Sequence, residues 1–170
     1  ERTSFLVMGI GLFVGGAVIA YNLFSHVQNR VEIWLNPWDQ YTERGYQPIQ
    51  ALFALANGGM TGTGLGIGDP GAIPAAHNDF IFAALGEELG LLGGVAILSA
   101  FVLLVGAGMR TALRAQRDFE KLLATGLTTI VAIQTFIIIG GVLRVVPLTG
   151  VTLPFMSYGG SSLVANYVVL

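Results

Sequence analysis

One acidic side chain stands where a polar segment gives way to an apolar one, at Asp79 in the stretch HNDFIF (77–82). An acid here has two interpretations. It suits the cap of a helix, because Asn and Asp accept hydrogen bonds from free N–H groups and an acid complements the positive helix end. It also suits a general base that takes a proton from a reacting hydroxyl. Spacing alone favours the cap and leaves the base open.

Two further carboxylates, Glu87 and Glu88, lie about two turns into the apolar run that follows. If this run crosses a membrane, charged groups at that depth need partners or a polar cavity. Arg144, at the end of a later apolar run, is a candidate partner. The two glutamates could form a structural polar network that holds helices together, or a proton or ion relay. We favour the structural network.

The segment 62–71 (GTGLGIGDPG) contains a literal GxGxxG pattern. A dinucleotide site is rejected, because no strand precedes it, no βαβ unit follows and Pro70 lies inside it. We expect a flexible or re-entrant loop. In a less favoured interpretation, the small size of its glycines allows backbone N–H groups to approach a phosphate.

A Gly- and Pro-rich stretch at 147–162 leads directly into a helix. Its hydroxyls and the free N–H groups of a helix N-terminus suit an anionic ligand, through Ser157, Ser161 and Ser162. An ordinary turn with a serine cap explains the same pattern equally well.

The composition excludes several classes of protein. Of 170 residues, 54% are hydrophobic and 11% are charged, against about 25% charged in soluble proteins. The net charge of -2 gives no basic face for nucleic acid. There is no cysteine, which excludes disulfides, Cys-ligated zinc and a thiol nucleophile. His26 and His77 have no ligand-spaced partners, so no dedicated metal site is expected.

The apolar runs predict an all-α polytopic membrane protein with about four transmembrane helices, at roughly 5–25, 80–109, 122–144 and 160–170. Between the first two runs lies a long polar loop, 26–79, with short helices. One of them is an amphipathic helix at 46–57, with Ile49, Phe53 and Ala56 near one face.

Basic residues set the orientation of these spans. The short linker 110–121 carries four Lys or Arg side chains, whereas the long loop 26–79 carries two. The positive-inside rule therefore places the linker in the cytoplasm. The loops 26–79 and 145–160 then lie outside, and any chemistry there acts on the outer membrane surface. Because the chain starts without Met and stops within an apolar run, we expect a fragment of a single membrane domain.

Four ordered segments carry a resemblance to a known family: GYQ (45–47) with Gln50, ANGGMTGTGLG (56–66), PAAHNDFIF (74–82) running into GEELG (86–90), and LPFMSYGGSS (153–162). Each is short, but the ordered set is specific. The chain resembles the C-terminal part of the SEDS family (shape, elongation, division and sporulation), the FtsW, RodA and SpoVE proteins. The family has ten spans, of which this chain would supply roughly the last four.

The resemblance implies a peptidoglycan glycosyltransferase that polymerises lipid II at the outer face of the bacterial plasma membrane, for elongation or division. It implies that Asp79 is catalytic, which reverses the preference for a cap. Expected partners are lipid II, undecaprenyl-pyrophosphate-linked glycan, the bilayer and a class B penicillin-binding protein. No cofactor is evident, and a divalent cation is left open. The candidate substrate-binding residues are His77, Arg30, Arg44, Arg144, Ser157, Ser161 and Ser162.

The sequence departs from the family in a few places. Many relatives have Glu at Ala75, so a mechanism that needs a second loop acid is in doubt here. Relatives often have Asn at Ile138 and Gly at Arg144, and these departures indicate a RodA-type member of actinobacterial kind. Two rival functions are a lipid transporter or flippase and a non-catalytic scaffold. Residues 1–170 alone are expected to be inactive.

Overall fold

Six α-helices follow one another along the part of the chain that the structure describes. The computed structural model describes residues 2–69, 71, 73–74 and 76–169. No strand occurs among these residues, so the predicted all-α class is confirmed. The elements are α1 (Arg2–Leu23), α2 (Ser25–Leu35), a 3-10 helix (Pro37–Gln40), α3 (Tyr46–Gly58), α4 (Ile81–Arg114), α5 (Asp118–Val142) and α6 (Gly160–Val169).

Three helical segments are long and apolar enough to cross a membrane: Thr3–Leu23 within α1, Ile81–Arg114 and Asp118–Val142. The shortest has 21 residues and measures about 31 Å at about 1.5 Å per residue, which matches a hydrocarbon core of about 30 Å. Within the fourth predicted span, 160–170, the structure describes the helix α6, Gly160–Val169.

The basic linker is shorter than predicted. The expected loop at 110–121 shrinks to residues 115–117, because α4 continues to Arg114 and α5 begins at Asp118. Both helix ends suit their dipoles, since Arg114 lies in the last turn of α4 and Asp118 in the first turn of α5. These two charges therefore stabilise the helix ends on either side of the short linker.

The core lies where α3 packs against α4 and α5, and it depends on small residues. A Cβ added at Gly58 would overlap the carbonyl oxygen of Gly86 on α4. Ala51, Ala54 and Ala83 are also buried in this core. Small residues let helix backbones approach closely, which is how helices associate where lipid removes the hydrophobic drive.

The three residues expected near one face of α3 are not buried together. Ile49 is buried, with Ala51 and Ala54, whereas Phe53 and Ala56 are exposed. Small residues dominate the buried face because α3 and α4 approach closely at Gly58 and Gly86.

The helix α4 is interrupted at Gly90, whose φ of 67° and ψ of -167° are not helical. Because of this break, the N–H groups of Leu91 and Leu92 cannot reach the carbonyls one turn earlier. They donate instead to the carbonyl oxygens of Gly59 and Met60, at 2.9 and 3.2 Å. The glycine-rich loop after α3 is thereby attached to the broken helix.

Two further hydrogen bonds run in the opposite direction, from loop N–H groups to carbonyls of α4. The carbonyls of Glu87 and Glu88, left free by the break, accept the backbone N–H groups of Thr63 and Gly64 at 2.9 and 3.0 Å. Non-helical backbone at membrane depth needs such internal partners. Thr63 and Gly64, in the first part of the segment 62–71, are therefore attached to the broken helix.

Replacing Gly90 with Ala is expected to destabilise the protein strongly. The left-handed backbone alone costs about 1–2 kcal/mol for a residue with a Cβ, and that Cβ would overlap the backbone N of Gly62. The unfolding midpoint of the purified protein in detergent measures the effect. Gly106 in the same helix is the matched control, because a Cβ there meets nothing within 4 Å. Equal midpoints for Gly90→Ala and Gly106→Ala would contradict this account of the break.

Candidate active site

A cavity of about 160 Å³ opens between α2, the turn before α3, the start of α4 and the turn after α5. Four of the candidate residues line it together: Asp79, Arg30, Arg44 and Arg144. They come from segments up to 114 positions apart in the sequence, from 30 to 144. The fold therefore brings one acid and three cations to one place at the end of the apolar helices.

Asp79 does not cap the helix that it precedes. The N-cap position of α4 is Phe80, and no side chain caps the helix there. The carboxylate is half-buried and lies against Gly150, where an added Cβ would be 3.5 Å from Oδ2 of Asp79. The acid thus lines the cavity, and the cap interpretation loses its structural basis.

The surroundings of Asp79 shift its proton affinity in two directions. Burial raises the pKa of the Asp79 carboxyl above its ordinary value, because desolvation disfavours the charged form, and the positive charge of Arg30 partly opposes this shift. Among the described residues, one pair of opposite charges has an N–O distance below 4.0 Å, Arg117 with Glu120. The Asp79 carboxylate therefore forms no ion pair within that distance. A carboxylate with a raised pKa is a stronger base than an ordinary one.

Arg30 reaches the cavity from α2. Its Nη1 donates a hydrogen bond of 2.8 Å to the carbonyl of Leu148, and an added Cβ at Gly150 would lie 3.5 Å from its Nη2. Arg30 and Asp79 therefore flank Gly150. Arg44 lines the same cavity from the turn before α3, with an exposed side chain.

Arg144 does not pair with the glutamates, so the expected partnership with Glu87 and Glu88 is wrong. Its Nη2 donates to the carbonyl oxygens of Trp34 and Leu35, at 2.6 and 3.2 Å. Its backbone has a φ of 60°, a conformation that favours glycine. This explains physically why the resemblance leads one to expect Gly at this position.

The two glutamates instead belong to the broken helix. Glu87 is 7% exposed, and an added Cβ at Gly68 would lie 3.4 Å from its carboxyl carbon and 3.2 Å from Cγ of Glu88. Neither lines the cavity that holds Asp79. Their position favours the structural interpretation, in which they help to seat the re-entrant loop.

The serine-rich segment supports the site from beside it. Ser157 is buried, accepts the N–H of Leu153 at 2.8 Å and donates to the carbonyl of Asn78 at 2.6 Å. That bond holds the residue immediately before Asp79. The hydroxyl of Ser162 lies 2.8 Å from that of Thr152.

The remaining two candidates lie outside the cavity. The ring of His77 packs edge-on against the ring of Tyr158, with 5.8 Å between the ring centroids. The side chain of Ser161 is exposed. Ala75, the position of the missing second acid, lies outside the described residues. Within the part that the structure describes, no three His, Cys, Asp or Glu residues are grouped to hold a metal ion.

Among the cavity residues that sequence reasoning did not assign to a site are Trp34, Gln47 and Gly150. Trp34 follows Arg30 by four positions, which places both on one face of a helix, and this spacing was the available signal. Gln47 lies in the GYQ segment and donates to the carbonyl of Pro74 at 3.0 Å. Nothing in the local sequence marks Gly150, because its role depends on the groups that meet across it.

Replacing Gly150 with Ala is expected to impair the site more than the fold. The added methyl group would lie 3.5 Å from both Arg30 Nη2 and Asp79 Oδ2, at a φ of 72° that disfavours any side chain. A carbon at 3.5 Å is in ordinary van der Waals contact, so the expected loss of activity, about tenfold, comes from relief of a backbone strain of about 1–3 kcal/mol by small shifts of the flanking groups. Gly66→Ala is the control, because Gly66 has a similar φ of 74° and a Cβ there meets nothing within 4 Å. Full activity of Gly150→Ala would show that the groups flanking Gly150 are not the reacting ones.

Comparison with known proteins gives three similarities. The FtsW/RodA/SpoVE family, described as cell cycle protein, matches residues 2–170. The peptidoglycan glycosyltransferase RodA of Mycobacterium tuberculosis is 52% identical over 170 residues, which are 100% of this chain and 36% of that protein. The probable peptidoglycan glycosyltransferase FtsW of Geobacter metallireducens is 46% identical over 162 residues, covering 92% of this chain and 43% of its own length.

A solved structure has the same fold. It is described as "Structural coordination of polymerization and crosslinking by a peptidoglycan synthase complex", with a TM-score of 0.69 and 29% identity. The match covers 96% of this chain and 47% of the solved chain. The present chain thus spans about a third to a half of the proteins that it resembles, 36% in the mycobacterial case.

Proposed function

This chain belongs to the FtsW/RodA/SpoVE family of cell cycle proteins and is part of an integral membrane protein, and on that premise we propose that the complete protein is a peptidoglycan glycosyltransferase. It polymerises lipid II into glycan strands at the outer face of the bacterial plasma membrane. The identity to a RodA relative, 52%, exceeds that to an FtsW relative, 46%, which supports a RodA-type member.

The single observation that carries this proposal is the placement of Asp79. A half-buried carboxylate that caps no helix lines a cavity together with three arginines. In the proposed reaction, the 4-hydroxyl of one sugar attacks the anomeric carbon of the lipid-linked donor, and Asp79 takes the hydroxyl proton. The bond from the anomeric carbon to the pyrophosphate oxygen breaks, and lipid pyrophosphate leaves.

The stereochemistry requires one base and no protein nucleophile. An α-linked donor that gives a β-linked product undergoes a single inverting displacement. Pyrophosphate leaves without protonation, so a second carboxylic acid is unnecessary, which agrees with the lack of an acid at position 75. Arg30 and Arg44 supply the positive charge that stabilises the departing phosphates.

The size and position of the cavity fit this division of tasks. At about 160 Å³ it is smaller than the roughly 300–1,000 Å³ of sites that enclose a whole ligand. It therefore accommodates the reacting groups while the lipid remains in the bilayer. The basic residues near the α4–α5 junction support a cytoplasmic location for that end and an external one for the cavity.

A class B penicillin-binding protein is the partner that we propose. The solved relative is described as a peptidoglycan synthase complex that coordinates polymerization and crosslinking. A glycan polymerase supplies strands and a transpeptidase joins them, so the two activities belong at one membrane site. The complete protein would then contribute to cell elongation or division through both activities.

The experiment that tests the function incubates the purified complete protein with labelled lipid II and digests the product with a muramidase that cuts β-1,4 links. We expect long glycan strands that this enzyme shortens. Transbilayer movement of lipid II, measured in parallel vesicles, tests the transporter alternative. Lipid movement without polymer would overturn the proposal in favour of a transporter, and neither activity would favour a scaffold.

A further inference from the structure

The helix α2 carries Arg30 to the cavity, yet it has little packing of its own. None of its residues in Ser25–Leu35 is buried. It follows α1 after a break at Phe24, and no residue in the membrane-spanning part of α1 is buried in this chain. Since no side chain of α2 is fully buried in this chain, polar contacts contribute to fixing its position.

Those contacts come from the turn after α5. Arg144 donates from Nη2 to the carbonyls of Trp34 and Leu35, at 2.6 and 3.2 Å. In return, the indole Nε1 of Trp34 donates to the carbonyl of Arg144 at 2.9 Å. We call Arg144 and Trp34 together the α2 latch.

The latch satisfies groups that the end of a helix leaves free. The last carbonyls of α2 have no partner within the helix and carry its partial negative charge. A guanidinium there forms charge-assisted hydrogen bonds, which are the stronger kind. Arg144 holds this position from a left-handed backbone, with φ 60°. The contacts are thus strong enough to retain a conformation that disfavours a side chain.

The latch also determines where Arg30 lies. Trp34 is one helical turn after Arg30, so fixing Trp34 fixes the same face of α2. The same turn after α5 provides a second attachment, since Arg30 donates to the carbonyl of Leu148 at 2.8 Å. Both attachments converge beside Gly150, across which Arg30 and Asp79 lie.

We propose that Arg144 is a positioning residue: with Trp34 it fixes α2 so that Arg30 remains opposite Asp79. Nη2 of Arg144 already donates to two backbone carbonyls, so these contacts of Arg144 hold the end of α2. In this proposal Arg144 acts through Arg30, and Arg30 and Arg44 are the arginines that face the leaving phosphates. The significance of Arg30 rests on the proposed function, whereas the latch itself does not.

Hydrogen exchange of the complete protein without substrate tests the latch directly. The amides of 25–35 are compared in wild type, Arg144→Gln and Trp34→Phe, with Arg117→Gln as the control because the Arg117 pair with Glu120 is exposed. We expect about tenfold faster exchange in α2 for both latch variants, since local opening no longer breaks these hydrogen bonds. The control and the α5 amides should remain unchanged.

Polymerisation kinetics give the second readout. Each latch variant is expected to lower kcat by about tenfold with little change in KM. A misplacement of a catalytic group by roughly 1 Å lowers the rate by about 10²-fold, and we expect a smaller displacement of Arg30 here. The double variant should lose no more than either single one, as expected for residues that act as a unit. Trp34→Phe removes the indole N–H donor and keeps an aromatic side chain, so it remains informative if Arg144→Gln fails to fold.

Unchanged exchange in α2 for both variants would overturn the latch, as would a loss of activity in Arg144→Gln that Trp34→Phe does not share. The second result would make Arg144 a direct phosphate ligand. If the proposed function fails, no variant polymerises lipid II but the exchange result still stands. The two failures are therefore distinguishable.

Discussion

Asp79→Asn is expected to lower glycan polymerisation by the complete protein by about 10²–10⁴-fold, the usual contribution of a general base. Asn has the same shape and still forms hydrogen bonds, but it does not take the proton of the attacking hydroxyl. Because the Asp79 side chain caps no helix, the fold should survive the change. The initial rate of polymer formation from labelled lipid II measures the effect.

The matched control is Asp69→Asn, which removes the same charge from an exposed residue that does not line the cavity. It should polymerise at the wild-type rate. Asp79→Asn protein that elutes and melts like wild type but retains its rate would exclude the base assignment. A similar loss in both variants would assign the effect to net loop charge.

Arg30→Gln should have the second largest effect, about 10²–10³-fold on the rate, which is the cost of removing one preorganised donor from a developing charge. It should also shift the pH profile. Arg30 lowers the pKa of Asp79 while burial raises it, so removing Arg30 leaves the raising effect unopposed. Asp79 must be unprotonated to act, and the acid limb of kcat/KM therefore moves to higher pH.

Arg30→Lys separates the charge of Arg30 from its geometry. Lys retains the positive charge but not the forked guanidinium that donates to Leu148. We expect its acid limb to remain near that of wild type while the rate falls. An acid limb that does not move in Arg30→Gln would mean that the limb reports a group other than Asp79.

Much of this architecture followed from the sequence because lipid imposes simple rules. Long apolar runs predicted the three helices that are long enough to cross a membrane. Clustered basic residues predicted a linker at 110–121, which the structure shortens to 115–117. The family segments identified Asp79, and the charge requirement of pyrophosphate identified the arginines. The structure brings these residues together in one cavity.

The rest depends on contacts between distant backbone groups, which no local pattern reveals. The break at Gly90 leaves backbone groups of α4 that form hydrogen bonds with loop residues, and a glycine in an apolar run carries no mark of that role. Charge alone made Arg144 one possible partner of Glu87 and Glu88. It binds the carbonyls of Trp34 and Leu35 instead, because free helix-end carbonyls lie closer to it.

The most direct test of the central claim measures polymer and lipid movement in the same vesicles, reconstituted with the complete protein as wild type or Asp79→Asn. The account predicts polymer from wild type only, and transbilayer movement of lipid II that is identical for both proteins. Equal polymer from both would contradict the claim that Asp79 is the base, as would lipid movement that disappears together with the Asp79 carboxylate.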